Sequence, residues 1–276
     1  MIKSILIPTD GSESASIGVD YAIEWAKHHK AKLHGLHVVD VKLLEGPFLR
    51  DISASLGTAP YANYEGNMSM VLEERGKAAL ADFEKRCTAA DVSCDTELAT
   101  GVVPQSILEH SNLVDLIVMG RGGEHNQWLD GLLGSTSESV IRRGKQPVIV
   151  TGHVTPAQSP FLAAYDGSNH AKHALKTAAE VAKNWDVSLH VLAVNGGSSS
   201  GCLDDAREYL EQHEVESEYV DRSGNAGEAI VAYANEIKTG LLVMGAFGHS
   251  KVLELVIGST TAFAMNHAGC PVLLTR

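Results

Sequence analysis

Residues 244–260 read MGAFGHSKVLELVIGST. They follow the apolar run Leu241-Leu242-Val243, which has the length and composition of a buried strand. Gly245 is followed after two residues by Gly248, and after nine more by Gly258-Ser259-Thr260. A glycine just past a strand end lets the backbone turn with positive φ, or lets another group approach where a Cβ would stand. Ser259 and Thr260 lie where a new helical pattern begins, and the free N–H groups of a helix start attract phosphate. The stretch therefore has the parts of a phosphate cradle, without the lysine of a P-loop.

Residues 119–136, MGRGGEHNQWLDGLLGST, repeat it after a second apolar run, Leu116-Ile117-Val118. Gly120 and Gly123 keep the spacing, and ten residues rather than nine precede Gly134-Ser135-Thr136. One glycine pattern is a weak signal; two in the same context are a strong one. Working outward, strand 2–8 ends in Thr9-Asp10-Gly11-Ser12, and 156 residues on, strand 160–165 ends in Asp166-Gly167-Ser168. Each is followed by an amphipathic helix. Its apolar face carries Ala15, Val19, Ala22, Ile23 and Ala26 in one copy, and Ala171, Ala174, Leu175, Ala178 and Ala182 in the other.

The chain is a tandem duplication, with units at 1–152 and 159–276 joined by a short linker. Each unit alternates strands and helices. That order predicts an α/β fold of two doubly wound domains, each a five-stranded parallel sheet with helices on both faces, Rossmann-like in plan. The first unit carries an insertion at about 41–70, mixing Gly, Pro, Ser and aromatics without a period. A lid, a disordered loop and a contact to another chain are all open readings of it. The helix after it is expected over about 71–90.

Composition narrows the function. The chain has 276 residues, 44% hydrophobic and 20% charged, with 22 basic against 34 acidic residues and a net charge of −12. That balance opposes binding to nucleic acid or anionic lipid. No apolar run has the length of a membrane span, and the start, MIKSILIPTDG, reads as a strand rather than a secretory signal. Cys87, Cys94, Cys202 and Cys270 show no metal-ligand spacing and suit free thiols in a reducing cytoplasm.

In an open parallel sheet, ligands bind beyond the C-terminal strand ends where the strand order reverses. Three tips of each unit meet there: Pro8-Thr9-Asp10 or Ala164-Tyr165-Asp166, Val38-Val39-Asp40 or Val194-Asn195, and the glycine loop. Glycines and a helix start suit phosphate. An aspartate suits ribose hydroxyls or a phosphate-bound divalent cation. The blander readings stand beside these. Asp10-Gly11-Ser12 also suits a plain helix-capping turn, the serines and threonines suit caps, Gly131 a turn, and Arg121, His125 and His249 suit solvated side chains.

On these residues the chain resembles the universal stress proteins, which carry a strand-1 Asp, a strand-2 end like His37-Val38-Val39-Asp40, and G-x2-G-x9-G-[ST] before the last helix. The resemblance covers nearly the whole chain twice. It implies the adenine-nucleotide alpha hydrolase-like fold and a stress-response sensor or regulator that binds ATP, ADP or AMP, with Mg carried by the phosphates. It places Val38 or Val194 near the base and Asp10 or Asp166 near ribose or metal. Gly120, Gly123, Gly134, Ser135 and Thr136 would hold phosphate in one unit, and Gly245, Gly248, Gly258, Ser259 and Thr260 in the other. It also implies that the two final strands dock the units as an internal pseudo-dimer, with a homodimer and an unidentified protein partner open beyond that.

The two sites weigh about evenly. The nine-residue spacing slightly favours the second, where Tyr165 is the residue expected to crowd the pocket. No catalytic set shares a strand end, so at most slow ATP hydrolysis is expected. An interaction module without nucleotide is the alternative. A related ATP-pyrophosphatase-like or nucleotidyl-transfer enzyme is another, but the phosphate motifs of those classes are absent.

Overall fold

The computed structural model describes residues 2–45, 58–122, 133–151, 159–195, 201–247 and 257–276. The first unit runs β1 (Ser4–Pro8), α1 (Glu13–His29), β2 (Lys32–Asp40), α2 (Val41–Glu45), α3 (Thr58–Ala89), β3 (Cys94–Gly101), α4 (Val103–His110), β4 (Leu116–Gly120), α5 (Ser135–Arg143) and β5 (Val148–Thr151). The second runs β6 (Phe161–Ala164), α6 (Asn169–Trp185), β7 (Leu189–Val194), α7 (Cys202–Gln212), β8 (Ser217–Arg222), α8 (Ala226–Glu236), β9 (Leu241–Gly245), α9 (Ser259–His267) and β10 (Val272–Thr275).

The strands form one ten-stranded sheet in the order β3-β2-β1-β4-β5-β10-β9-β6-β7-β8. Every pairing inside a unit is parallel, and the order in each reverses beside its first strand. That is the doubly wound plan expected from the alternation. The units join where β5 and β10 pair antiparallel, with Val150 opposite Val272 and Val148 opposite Leu274.

Strand side chains alternate between faces, so each sheet face has its own core. Ile5, Ile7, Val118, Ala163 and Val243 meet α1, α3, α6 and α7 on one face. Leu6, Ile117, Met119, Leu162 and Leu242 meet α4, α5, α8 and α9 on the other. All ten apolar positions that define the first helical pattern of each unit are buried. Both cores run through both units, because the β5–β10 seam leaves no gap in the sheet.

The seam is completed by helix ends. The α1 and α6 C-termini meet with Trp25 and Trp185 rings 5.7 Å apart, and the His28 ring stacks on Trp185 at 4.3 Å. Trp185 Nε1 donates to His29 Nε2 at 3.2 Å. On the other face Arg121 donates to the Ala268 carbonyl at 2.6 Å, and Arg276 donates to the Gly144 carbonyl at 3.0 Å. Arg121 is therefore not the solvated side chain expected from sequence. It bridges the two units.

The insertion also departs from expectation. Helix α3 begins at Thr58 rather than near residue 71, so much of the insertion is the front of a 32-residue helix. The helix lies against β2 and β3 through a glycine. A Cβ at Gly76 would stand 2.5 Å from His37 Cδ2 and 2.7 Å from Leu98 Cδ1. Gly76 is unfavourable in a helix interior, and here it permits the close approach.

Candidate functional site

In the first unit the three predicted tips surround one cavity of about 660 Å³. Pro8, Thr9 and Asp10 enter from β1, and Val38 and Asp40 from β2. Gly120 and Gly122 enter from the end of β4, and Gly134, Ser135 and Thr136 from the start of α5. Leu36, Val103, Ile107 and Met119 give an apolar wall. Asp10, Asp40 and Glu138 supply carboxylates, and Arg75 a guanidinium. The volume suits a small-molecule site of mixed apolar and polar character. Gly123, Gly248, His125, His249 and Gly131 lie outside the described residues.

Local chemistry explains the shape. Asp10 Oδ1 accepts from Ser12 N at 2.9 Å, and Ser12 Oγ accepts from Ala15 N at 3.2 Å. The capping turn is therefore real, and Asp10 still lines the cavity. Asp166 and Ser168 repeat both bonds. At Gly120 the backbone needs close approach rather than positive φ, since a Cβ there would meet Ser14 O at 2.6 Å. The helix starts differ from the expected capping. Gly134 and Gly258 are the N-caps, and neither helix has a side-chain cap bond. Ser135, Thr136, Ser259 and Thr260 thus open their helices with hydroxyls not used as caps. Gly134 to Ser137, the start of α5, line the cavity, and the first-turn amides of a helix have no intrahelical acceptor.

The loop lengths differ, yet the loop ends close alike. Gly134 N donates to Arg121 O at 2.9 Å, and Gly258 N to Ala246 O at 3.3 Å. Ser137 Oγ donates to Gly120 O at 3.2 Å, and Thr261 Oγ1 to Gly245 O at 3.0 Å. The extra residue of the first loop therefore does not displace Gly134.

The second unit brings the same backbone positions together with other side chains. Tyr165 does not crowd the site: it packs with Ala171 and Cys202 in the core of the opposite face. Burial, with Cys202 and nearby carboxylates, pushes its phenol up to about 12. The bulky residue is Phe247, which stands where the first unit has Gly122. It is buried, with the His170 ring 5.7 Å away and the Arg276 guanidinium 4.8 Å from its centroid. Ala164 and Val194 border the same core as Phe247. Asn195 ties the β7 tip to Gly224 by bonds of 2.8 Å in both directions.

Sequence reasoning missed Leu43, Leu72 and Arg75, which line the first cavity from α2 and α3. Leu43 lies in the insertion, which has no period, and Leu72 and Arg75 lie in the helix expected over about 71–90, whose orientation toward the strand tips no local pattern gives. Among the described residues no group of three His, Cys, Asp or Glu could hold a metal ion. None of their helices is long and apolar enough to cross a membrane.

A doubly wound sheet with a glycine loop at its switch point defines an α/β protein of Rossmann-like type, here built twice. The model of the universal stress protein family matches residues 1–152, 159–219 and 201–276. The chain belongs to that family. It is 29% identical over 287 residues to universal stress protein Slr1230 of Synechocystis sp., covering 100% of both chains. It is 35% identical over 153 residues to universal stress protein MJ0531 of Methanocaldococcus jannaschii, covering 54% of this chain and 82% of that one. The crystal structure of a universal stress protein from Archaeoglobus fulgidus superposes with a TM-score of 0.79 at 25% identity, covering 99% of this chain and 98% of the other.

Proposed function

We propose that this universal stress protein, with units at 1–152 and 159–276, binds ATP or a related adenine nucleotide in its first unit and acts as a stress-response sensor or regulator. The observation that carries this reading is the cavity of about 660 Å³, lined both by an apolar wall and by a glycine-capped helix start. Val38, Leu36 and Ile107 suit a base, Asp10 suits ribose, and Gly120, Gly134, Ser135 and Thr136 suit phosphates. Mg would enter with the phosphates and add charge neutralisation near Asp10. The described lining offers a single guanidinium and no lysine, which supports slow hydrolysis at most. All four cysteines are free thiols, in keeping with a reducing cytoplasm.

The test is to denature freshly purified protein, identify any released small molecule by mass spectrometry, and titrate the emptied protein with Mg-ATP. ATP or ADP should be present, lost in Gly134→Trp and retained in Gly258→Trp. Absence of nucleotide together with no calorimetric binding of Mg-ATP would overturn the proposal.

A further inference from the structure

We infer that Arg75 determines which adenine nucleotide the first unit holds, by pairing with the phosphate tail; this rests on the reading of the site above. Among the described lining residues Arg75 is the one Lys or Arg, set against the carboxylates of Asp10, Asp40 and Glu138. A polyphosphate entering such a site meets three like charges. Backbone amides offset part of that repulsion, and a guanidinium adds charge-assisted, forked hydrogen bonds. A bare nucleoside gains nothing from it.

Arg75 is placed for this by a feature that, among the described residues, only the first unit has. Ala79 of α3 and Cys202 of α7 take matching places against the first-strand turns: a Cβ on Gly11 would lie 3.3 Å from Ala79 Cβ, and one on Gly167 3.3 Å from Cys202 Sγ. Helix α7 starts at that level, whereas α3 has already run from Thr58. Arg75 lies in this forward extension, one turn ahead of Ala79. The neighbouring Gly76 sits on His37, whose Nδ1 is 2.8 Å from the Thr9 carbonyl. The second unit has Ala193 in place of His37. The extension is thus keyed onto the β1 and β2 tips, and it carries Arg75 to the wall where Thr9 and Asp10 also line a second cavity of about 350 Å³. Arg75 borders both cavities, so it stands on the Asp10 side of the site rather than on the apolar side.

The experiment is calorimetric titration of the full chain with ATP, ADP, AMP and adenosine, in the parent, Arg75→Gln and Arg75→Lys. In Arg75→Gln, ATP and ADP affinity should fall about tenfold and adenosine affinity should stay within about twofold. The salt dependence of ATP binding should flatten, with the melting temperature unchanged, and Arg75→Lys should recover part of the loss. Equal losses for ATP and adenosine, or no loss for either, would overturn the role of Arg75 and leave the site intact. No binding of any of the four by the parent would overturn the site itself and the role of Arg75 with it.

Discussion

The two units share a backbone plan and differ in what fills it. At the β4 and β9 tips both units turn through a glycine that a side chain would clash with, Gly120 against Ser14 and Gly245 against His170. Two residues later one unit has Gly122, bordering a cavity, and the other has Phe247, buried beneath Arg276. The first unit also extends α3 over its strand tips, where the second has no described counterpart. Duplicated glycine loops therefore specify a common loop closure. The side chains and the insertion around that closure differ between the units, in Gly122 against Phe247 and in the early start of α3.

The strongest way to break this comparison is to truncate Phe247. Phe247→Ala should cost about 3–5 kcal/mol, the usual range for a truncated buried phenylalanine. Chemical denaturation should report that loss while nucleotide affinity in the first unit is unchanged. A loss of affinity would show that the two sites are coupled. Gly120→Val should act in the opposite way. It forces a side chain into Ser14, costs roughly 1–3 kcal/mol and abolishes nucleotide retention. The matching Gly245→Val should cost a similar amount and leave retention intact, as mass spectrometry of released ligand would read.

The seam offers a third, pH-dependent comparison, since His29 and Trp185 occupy equivalent places on α1 and α6. Burial, with the charge of His28 next, pushes the His29 imidazole down to about 4. In an unfolded chain it titrates near 6.5. The unfolded state therefore takes up a proton first as pH falls. The stability contributed by the neutral ring is complete above about pH 6.5, declines as pH drops toward 4, and levels off below. Protonation also removes the acceptor that Trp185 Nε1 uses. Because the ring is not wholly shielded from water, the effect should be about 2 kcal/mol. His29→Gln should lose less stability than the parent between pH 7 and pH 4.5; equal losses would assign the acid sensitivity elsewhere. The smallest effect is expected at helix starts. Asn225 caps α8 by accepting from Glu228 N at 3.2 Å, whereas Val102 at the start of α4 gives no side-chain cap. Asn225→Ala should cost about 1 kcal/mol and Val102→Asn should regain a similar amount, both visible as melting-temperature shifts without change in nucleotide affinity.

The fold was legible because its signals are local and appear twice. Asp10-Gly11-Ser12 and Asp166-Gly167-Ser168 mark two first-strand ends, and the apolar runs before Gly120 and Gly245 mark two central strands. The backbone of the site was legible for the same reason. The remaining features depend on contacts between distant residues. Arg121 gave no sign that it would reach the Ala268 carbonyl, because its partner lies across a seam formed only after both sheets exist. Tyr165 was misread because one residue of strand alternation sends it to the opposite face. The early start of α3 was hidden in a segment whose glycines and aromatics show no helical period, and its value to the fold is clear only at Gly76 and His37.

The β5–β10 pairing has a consequence for assembly. Two separate copies would have to find each other through that edge, and their pairing would rise and fall with abundance. Carried on one chain, the second edge is held near the first at an effective concentration on the order of millimolar, whatever the cellular amount. Dilution cannot split the pair, and synthesis of more protein cannot drive it together. The fused protein is therefore indifferent to its own dosage at this seam. Any further growth of the sheet is left to the outer strands, β3 and β8, at its far ends.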